Sequence, residues 1–138
     1  MSHLHAGLGL AWLAAFTLNL SGCAWPEPAG APAPTGLSEL LERPAERALF
    51  DALRAYDDGQ YAPAESALRK ALAAGLRSPR DRATAHKLLA FISCTSERLA
   101  ECEAAFRAAR EADANFALSR GEAGHPVWGP IYRRALAP

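Results

Sequence analysis

Cys23 closes an uncharged apolar run, and its thiol is the first group along the chain equipped for covalent chemistry. Leu20, Ser21 and Gly22 precede it, and a thiol in its thiolate form is a good nucleophile. Two further thiols, Cys94 and Cys102, make an even pair, which in an oxidising compartment can bridge. The alternative is that Cys102 supplies a small residue for close packing and Cys94 a buried hydrophobe, since free cysteine packs well. His86 and His125 have no Ser or Asp at a spacing suited to a catalytic triad. His86, Cys94 and Cys102 lack the short-spaced Cys/His pairs of a structural zinc site, and no glycine-rich phosphate loop occurs. The sequence therefore predicts no catalytic residue, metal or cofactor, and a chain that is not an enzyme. His125, Trp128 and Tyr132 are the candidates for a partner-binding patch, because Trp and Tyr dominate interface hot spots.

The segments that must position these residues begin with an address. From Ala6 to Leu20 the chain is uncharged and rich in Leu, Ala, Trp and Phe. Its length suits a signal-peptide apolar region and falls short of the ~20 residues of a spanning helix. Leu20, Ser21, Gly22 and Cys23 resemble the lipobox of bacterial lipoproteins, which implies cleavage before Cys23 and a diacylglyceryl anchor on its sulfur. Met1 to His5 contain no Lys or Arg, unlike most secretory signals; an uncleaved apolar anchor or a misplaced start is the alternative. Ala24 follows the cysteine where an Asp resembles an inner-membrane retention signal, so the resemblance implies the periplasmic face of the outer membrane. Trp25 to Gly36 is mostly Pro, Ala and Gly with a single Glu, a composition that cannot bury a core and favours extended conformations. A dozen such residues would span roughly 35–40 Å. The organisation expected is a signal peptide over 1–22, a lipidated Cys with a flexible tether over 23–38, and a helical domain over 39–138.

Lys plus Arg equals Asp plus Glu at 15 each, so no global basic field draws nucleic acid or an anionic membrane. Arg69, Lys70, Arg77, Arg80, Arg82 and Lys87 cluster around one connection and read as a solvated helix face. Pro44 opens a first helix whose Leu49, Leu53 and Tyr56 share a face, ended by Asp57, Asp58 and Gly59. A second starts near Pro63, carries Ala64, Ala67, Leu68, Ala71 and Leu72, and closes at Gly75. Ser78 caps a third, with Pro79 at its first position, Asp81 three residues on, and Ala85, Leu88, Leu89, Phe91 and Ile92 along its face. A fourth runs from about Leu99 to Ala112 with Cys102, Ala105, Phe106 and Ala109 inward. No strand pattern of alternating hydrophobicity occurs.

These helices are two copies of one unit. A shift of 38 residues places Ala52 on Ala90, Leu53 on Phe91, Tyr61 on Leu99, Ala64 on Cys102, Leu68 on Phe106 and Ala71 on Ala109. Small residues let two antiparallel helices approach, and bulky ones fill the gap to the next helix. The pattern resembles the tetratricopeptide repeat, whose usual period is 34, with the extra residues expected in a long connection from Ala73 to Arg82. Glu97 stands where Gly59 makes the first turn. The fold class predicted is all-α: two TPR-like hairpins and a short C-terminal capping helix.

Asp113 to Gly124 reads as loop. Pro130 then starts a short helix on which Trp128, Ile131, Tyr132 and Ala135 recur at helical spacing. It either caps the repeats, since two alone leave an apolar side uncovered, or presents Trp128, Tyr132 and His125 to a partner. The run from Ala85 to Arg134, with His86, Lys87, Leu89, Ala90, Phe91 and Ile92, two cysteines, and an ending of Gly124, His125, Pro126, Trp128, Gly129 and Pro130, resembles the TssQ family of type VI secretion-associated lipoproteins. That resemblance implies an outer-membrane lipoprotein serving the contractile secretion apparatus as scaffold or assembly factor, with protein components of an envelope secretion complex as partners. A pilotin-like escort of a secretin, or a periplasmic peptide- or peptidoglycan-binding module, are the alternatives.

Overall fold

The computed structural model describes Gly36, Glu39 and residues 42–137. Leu20, Ser21, Gly22 and Cys23, the signal peptide, and the Pro/Ala-rich stretch up to Thr35 lie outside the described residues. Described are helices α1 (Pro44–Asp57), α2 (Tyr61–Ala74), α3 (Pro79–Thr95), α4 (Leu99–Ala112), α5 (Arg120–Ala123) and α6 (Gly129–Ala135), and no strand occurs among the described residues. The fold is all-α. Helix α1 packs on α2 and α3 on α4 as two hairpins; α2 joins the hairpins by packing on α3, and α6 lies against α4 and α5. Among the described residues no helix is long and apolar enough to cross a membrane.

Local chemistry sets the ends of these helices. Ser78 Oγ accepts the Asp81 N–H at 3.2 Å, satisfying one of the first-turn donors that an α-helix leaves free. Helix α2 ends at Gly75 in the left-handed conformation. It begins at Tyr61, two residues before the start expected at Pro63; a proline costs little anywhere in the first turn, where its missing N–H has no intrahelical partner. The connection expected to be long is only residues 75–78: α3 starts at Pro79 as its cap indicates and has 17 residues against the 14 of α1, so most of the extra residues are helix. The segment expected as loop contains α5, held by a reciprocal capping box in which Ser119 Oγ accepts the Glu122 N–H and the Glu122 carboxylate accepts the Ser119 N–H.

The internal shift of 38 is visible in burial and in hydrogen bonding. Ala52 and Ala90, Ala64 and Cys102, Leu68 and Phe106, and Ala71 and Ala109 are each fully buried, while Tyr61 and Leu99 are both exposed. At the first turn the N–H groups of Gly59 and Gln60 donate to the Tyr56 and Ala55 carbonyls; at the second, those of Glu97 and Arg98 donate to the Cys94 and Ser93 carbonyls. Each pair of bonds is the other displaced by one unit. Burying Leu68 and Phe106 stabilises the fold by about 1.5–3 kcal/mol apiece, and zero-exposure alanines such as Ala52 and Ala90 let the helices approach closely.

Candidate functional site

At the tip of the second hairpin, the last turn of α3 and the first turn of α4 bring Cys94 and Cys102 together. A disulfide joins them, with Cα atoms 5.1 Å apart, and both side chains are buried. The turn between them holds Glu97 at a φ of 60°, the left-handed region that Gly59 occupies at 72° in the first hairpin. Two free packing thiols, the other reading of these residues, are not what the structure contains.

Beside this tip lies an ionic cluster that the sequence reading passed over. Glu65 of α2 accepts both guanidinium nitrogens of Arg98, at 3.0 and 2.7 Å, and a 2.7 Å bond from Arg69 one turn along its own helix. Hydrogen bonds from Arg98 and then Arg69 hold the Glu65 carboxyl down at about 2. Displaced by 38, the Glu and the Arg of its own helix recur: Glu103 accepts Arg107 at 2.6 Å, and it also accepts Arg134 of α6 at 3.0 Å. The sequence signal was available, since Glu65-Ser-Ala-Leu-Arg69 and Glu103-Ala-Ala-Phe-Arg107 are the same pentapeptide pattern. Each unit uses its second helix to grip an arginine from farther along the chain, Arg98 at the start of α4 and Arg134 in α6. Of the other basic residues singled out in sequence, Arg82 donates to the Leu76 and Arg77 carbonyls and Lys87 pairs with Glu122 at 2.8 Å.

The aromatic residues of the tail divide between two packing roles. Trp128 lies between two rings, parallel to His125 at 3.4 Å and to Phe91 at 4.3 Å, and its indole N–H donates to the Glu122 carbonyl at 2.9 Å. Tyr132 instead meets Phe106 and Phe116 edge-on, and its hydroxyl accepts the Leu118 N–H. His125 and Trp128 thus form one stack, and Tyr132 belongs to the neighbouring cluster. The polar ends of both Trp128 and Tyr132 are bonded within the tail. Val127 beside them is exposed. Gly129 is required here, because a Cβ on it would sit 2.5 Å from the Ala123 carbonyl oxygen. Burial pushes the Glu122 carboxyl up, but bonds from Lys87 and Ser119 outweigh it and leave the group below its usual range.

A groove of about 500 Å³ runs between α2 and α4 over a floor made by α3. Leu72, His86, Leu89, Ser93, Ala105 and Ala108 line it. Arg69 of α2 and Glu101 of α4 reach across one end, 3.6 Å apart, so the ionic cluster forms that end of the groove.

No protein-family model, curated protein or solved structure matches the chain.

His86 stands half-buried in the groove, and burial lowers its pKa, with Glu111 opposing and Arg82 adding to the shift, so at neutral pH the ring is an uncharged donor and acceptor. It lies apart from the cysteines, which are consumed by their bridge. His125 turns Nδ1 to the Val127 N–H at 3.2 Å and gives its face to Trp128.

Proposed function

We propose that this chain is a TPR-like lipoprotein anchored through Cys23 to the periplasmic face of the outer membrane, where it serves as a scaffold or assembly factor for an envelope secretion complex, the type VI apparatus by resemblance to the TssQ family. The observation that carries the reading is the Cys94–Cys102 disulfide at a hairpin tip, together with a third cysteine at the end of an apolar N-terminal run. Structural disulfides persist in exported proteins and are rare in the cytosol. Support for the repeat assignment comes from the equivalent turns, equivalent buried small and bulky positions, and the equivalent pairs Glu65–Arg69 and Glu103–Arg107 one unit apart. Such paired helices present extended surfaces to other proteins.

The test is fractionation with metabolic lipid labelling. The wild-type protein takes up labelled fatty acid and sediments with outer membranes, and Cys23→Ser loses both properties. A Cys23→Ser protein that stays membrane-bound at unchanged mass would overturn the anchor. Cross-linking the lipidated protein in membranes and identifying its neighbours by mass spectrometry then separates the assemblies: sheath, baseplate or membrane-complex subunits support the type VI reading, and a secretin supports the pilotin alternative.

A further inference from the structure

The two hairpin tips meet one requirement in different ways. Shifted by 38 residues, Gly59 falls on Glu97, Gln60 on Arg98, Tyr56 on Cys94 and Ala64 on Cys102. Both turns need a residue in the left-handed region, and only the first supplies glycine; Glu97 enters it against the steric clash of its own Cβ. The turn that bears this strain is the one closed by a disulfide.

It is also the turn that carries a tie between the hairpins. The Arg98 N–H donates to the Ser93 carbonyl at 2.8 Å, the Glu97 N–H to the Cys94 carbonyl at 3.2 Å, and the Cys102 N–H to the Arg98 carbonyl at 3.0 Å. The backbone of Arg98 is thus bonded on one side to the residue before Cys94 and on the other to Cys102 itself, inside the loop that the bridge closes. Its guanidinium reaches out of that loop to both carboxylate oxygens of Glu65 on α2, and to Glu101. Gln60, its counterpart in the first hairpin, carries no charge. A bidentate pair depends on one orientation of a planar group, so it tolerates little displacement of the backbone beneath it. A turn in which Glu97 leaves the left-handed region redirects the chain at Arg98 and takes the fork away from Glu65.

We propose that the Cys94–Cys102 bridge is a redox-sensitive positioning device: oxidation confines the Glu97 turn so that Arg98 grips Glu65 and joins the hairpins, and reduction releases that grip. Closing the bridge removes two electrons and two protons from the thiols. One cysteine thiolate attacks the disulfide of a thiol–disulfide oxidoreductase and displaces one of its sulfurs; the second thiolate then breaks the mixed disulfide, and the donor leaves as its dithiol. Both sulfurs are buried in the finished fold, so the exchange takes place while the tip is open and the tie is set as the chain folds. The inference shares with the proposed function only the oxidising compartment; it needs neither the lipid anchor nor a particular assembly.

The test compares the full chain in mild detergent with its bridge intact and after reduction by a phosphine in urea and refolding without oxygen. Urea unfolding at about pH 6, where Glu65 is ionised, is followed for wild type and Glu65→Gln in each state. With the bridge, Glu65→Gln should lower the folding equilibrium constant about 5–30-fold; without it, less than about twofold. Glu97→Gly, whose turn needs no confinement, should regain the dependence and lose at least about fivefold on Glu65→Gln when reduced. Glu103→Gln, whose partners Arg107 and Arg134 lie outside the loop, should have the same effect in both states. An undiminished Glu65→Gln effect in the reduced chain overturns the proposal, as does an equal decline at Glu103, which would report general loosening. If reduced wild type does not refold, the comparison moves to Glu97→Gly, which must refold reduced and keep the Glu65 dependence; its failure to do either means that the bridge serves more than this turn and overturns the proposal too. No arm reads lipid or membrane attachment, so failure here and failure of the Cys23→Ser test are distinguishable.

Discussion

Glu97 bears a conformational cost that its counterpart Gly59 does not. Both sit at the same point of equivalent turns, with φ of 60° and 72°, and both make the same backbone bond three residues back. A residue with a Cβ loses roughly 1–2 kcal/mol in this region, whereas glycine enters it freely and loses part of that advantage to its greater freedom in the unfolded chain. The Glu97 side chain is exposed, so little else is forfeited by removing it. Glu97→Gly should therefore stabilise the protein by roughly 0.5–1 kcal/mol, read as a higher urea midpoint at unchanged slope. An unchanged or lower midpoint would mean that the turn does not hold Glu97 in the left-handed conformation under native conditions. The disulfide beside it acts through the unfolded state: its cysteines are 8 residues apart in sequence, and closing so short a loop contributes about 2–3 kcal/mol.

Between elements, the repeated Glu–Arg clusters fix how helices meet. Glu65 is mostly covered, with 19% of its side chain exposed, and it ties α2 to the start of α4 through Arg98; Glu103 ties α4 to α6 through Arg134. The folded Glu65 carboxyl titrates at about 2, below the roughly 4.3 of a free glutamate. A group depressed in the native state contributes stability above its unfolded pKa and loses it as pH falls through the folded one. Wild type should thus exceed Glu65→Gln by about 1–2 kcal/mol at pH 6, after allowance for the exposed arginine partners, with the gap closing between about pH 4.5 and 2. Urea titrations of both proteins across that range check it, and a gap that does not change with pH would sink the assignment. The helices themselves were legible because Pro44, Gly75, Ser78 and Pro79 punctuate strong apolar faces. Helix α5 was missed although Ser119 and Glu122 spell its capping box, because a four-residue helix has no periodicity to detect. The groove was illegible for a different reason: its floor and walls come from three helices, and which face of each is left uncovered depends on packing that no single window of sequence contains.

At the scale of the molecule, the two hairpins need their open sides closed, and the ends do this differently. Where α3 presents Ala85, Leu89 and Ile92, the positions of α1 one unit earlier are Arg47, Asp51 and Arg54, all exposed, so that end carries a charged face of the kind terminal repeats need for solubility. At the other end α6 lies on α4, and a continuous set of ring contacts runs from His125 through Trp128, Phe91 and Phe106 to Tyr132 and Phe116. Trp128 links the tail to α3 through Phe91, beside the Lys87–Glu122 ion pair, and its indole N–H already has a partner in the Glu122 carbonyl. If it serves to close the array, its removal is felt by the whole domain: Trp128→Ala should cost about 2–3 kcal/mol, less than the 3–5 of a fully buried Trp, in a single cooperative unfolding transition. His125→Ala removes only the outer ring of the stack and should cost about 0.5–1 kcal/mol. Denaturation followed in parallel by helical circular dichroism and by aromatic signals distinguishes the roles. Coincident, lowered transitions for Trp128→Ala assign the residue to closure; a protein with wild-type stability that loses cross-linking to its membrane partners assigns Trp128 to the partner-binding patch instead.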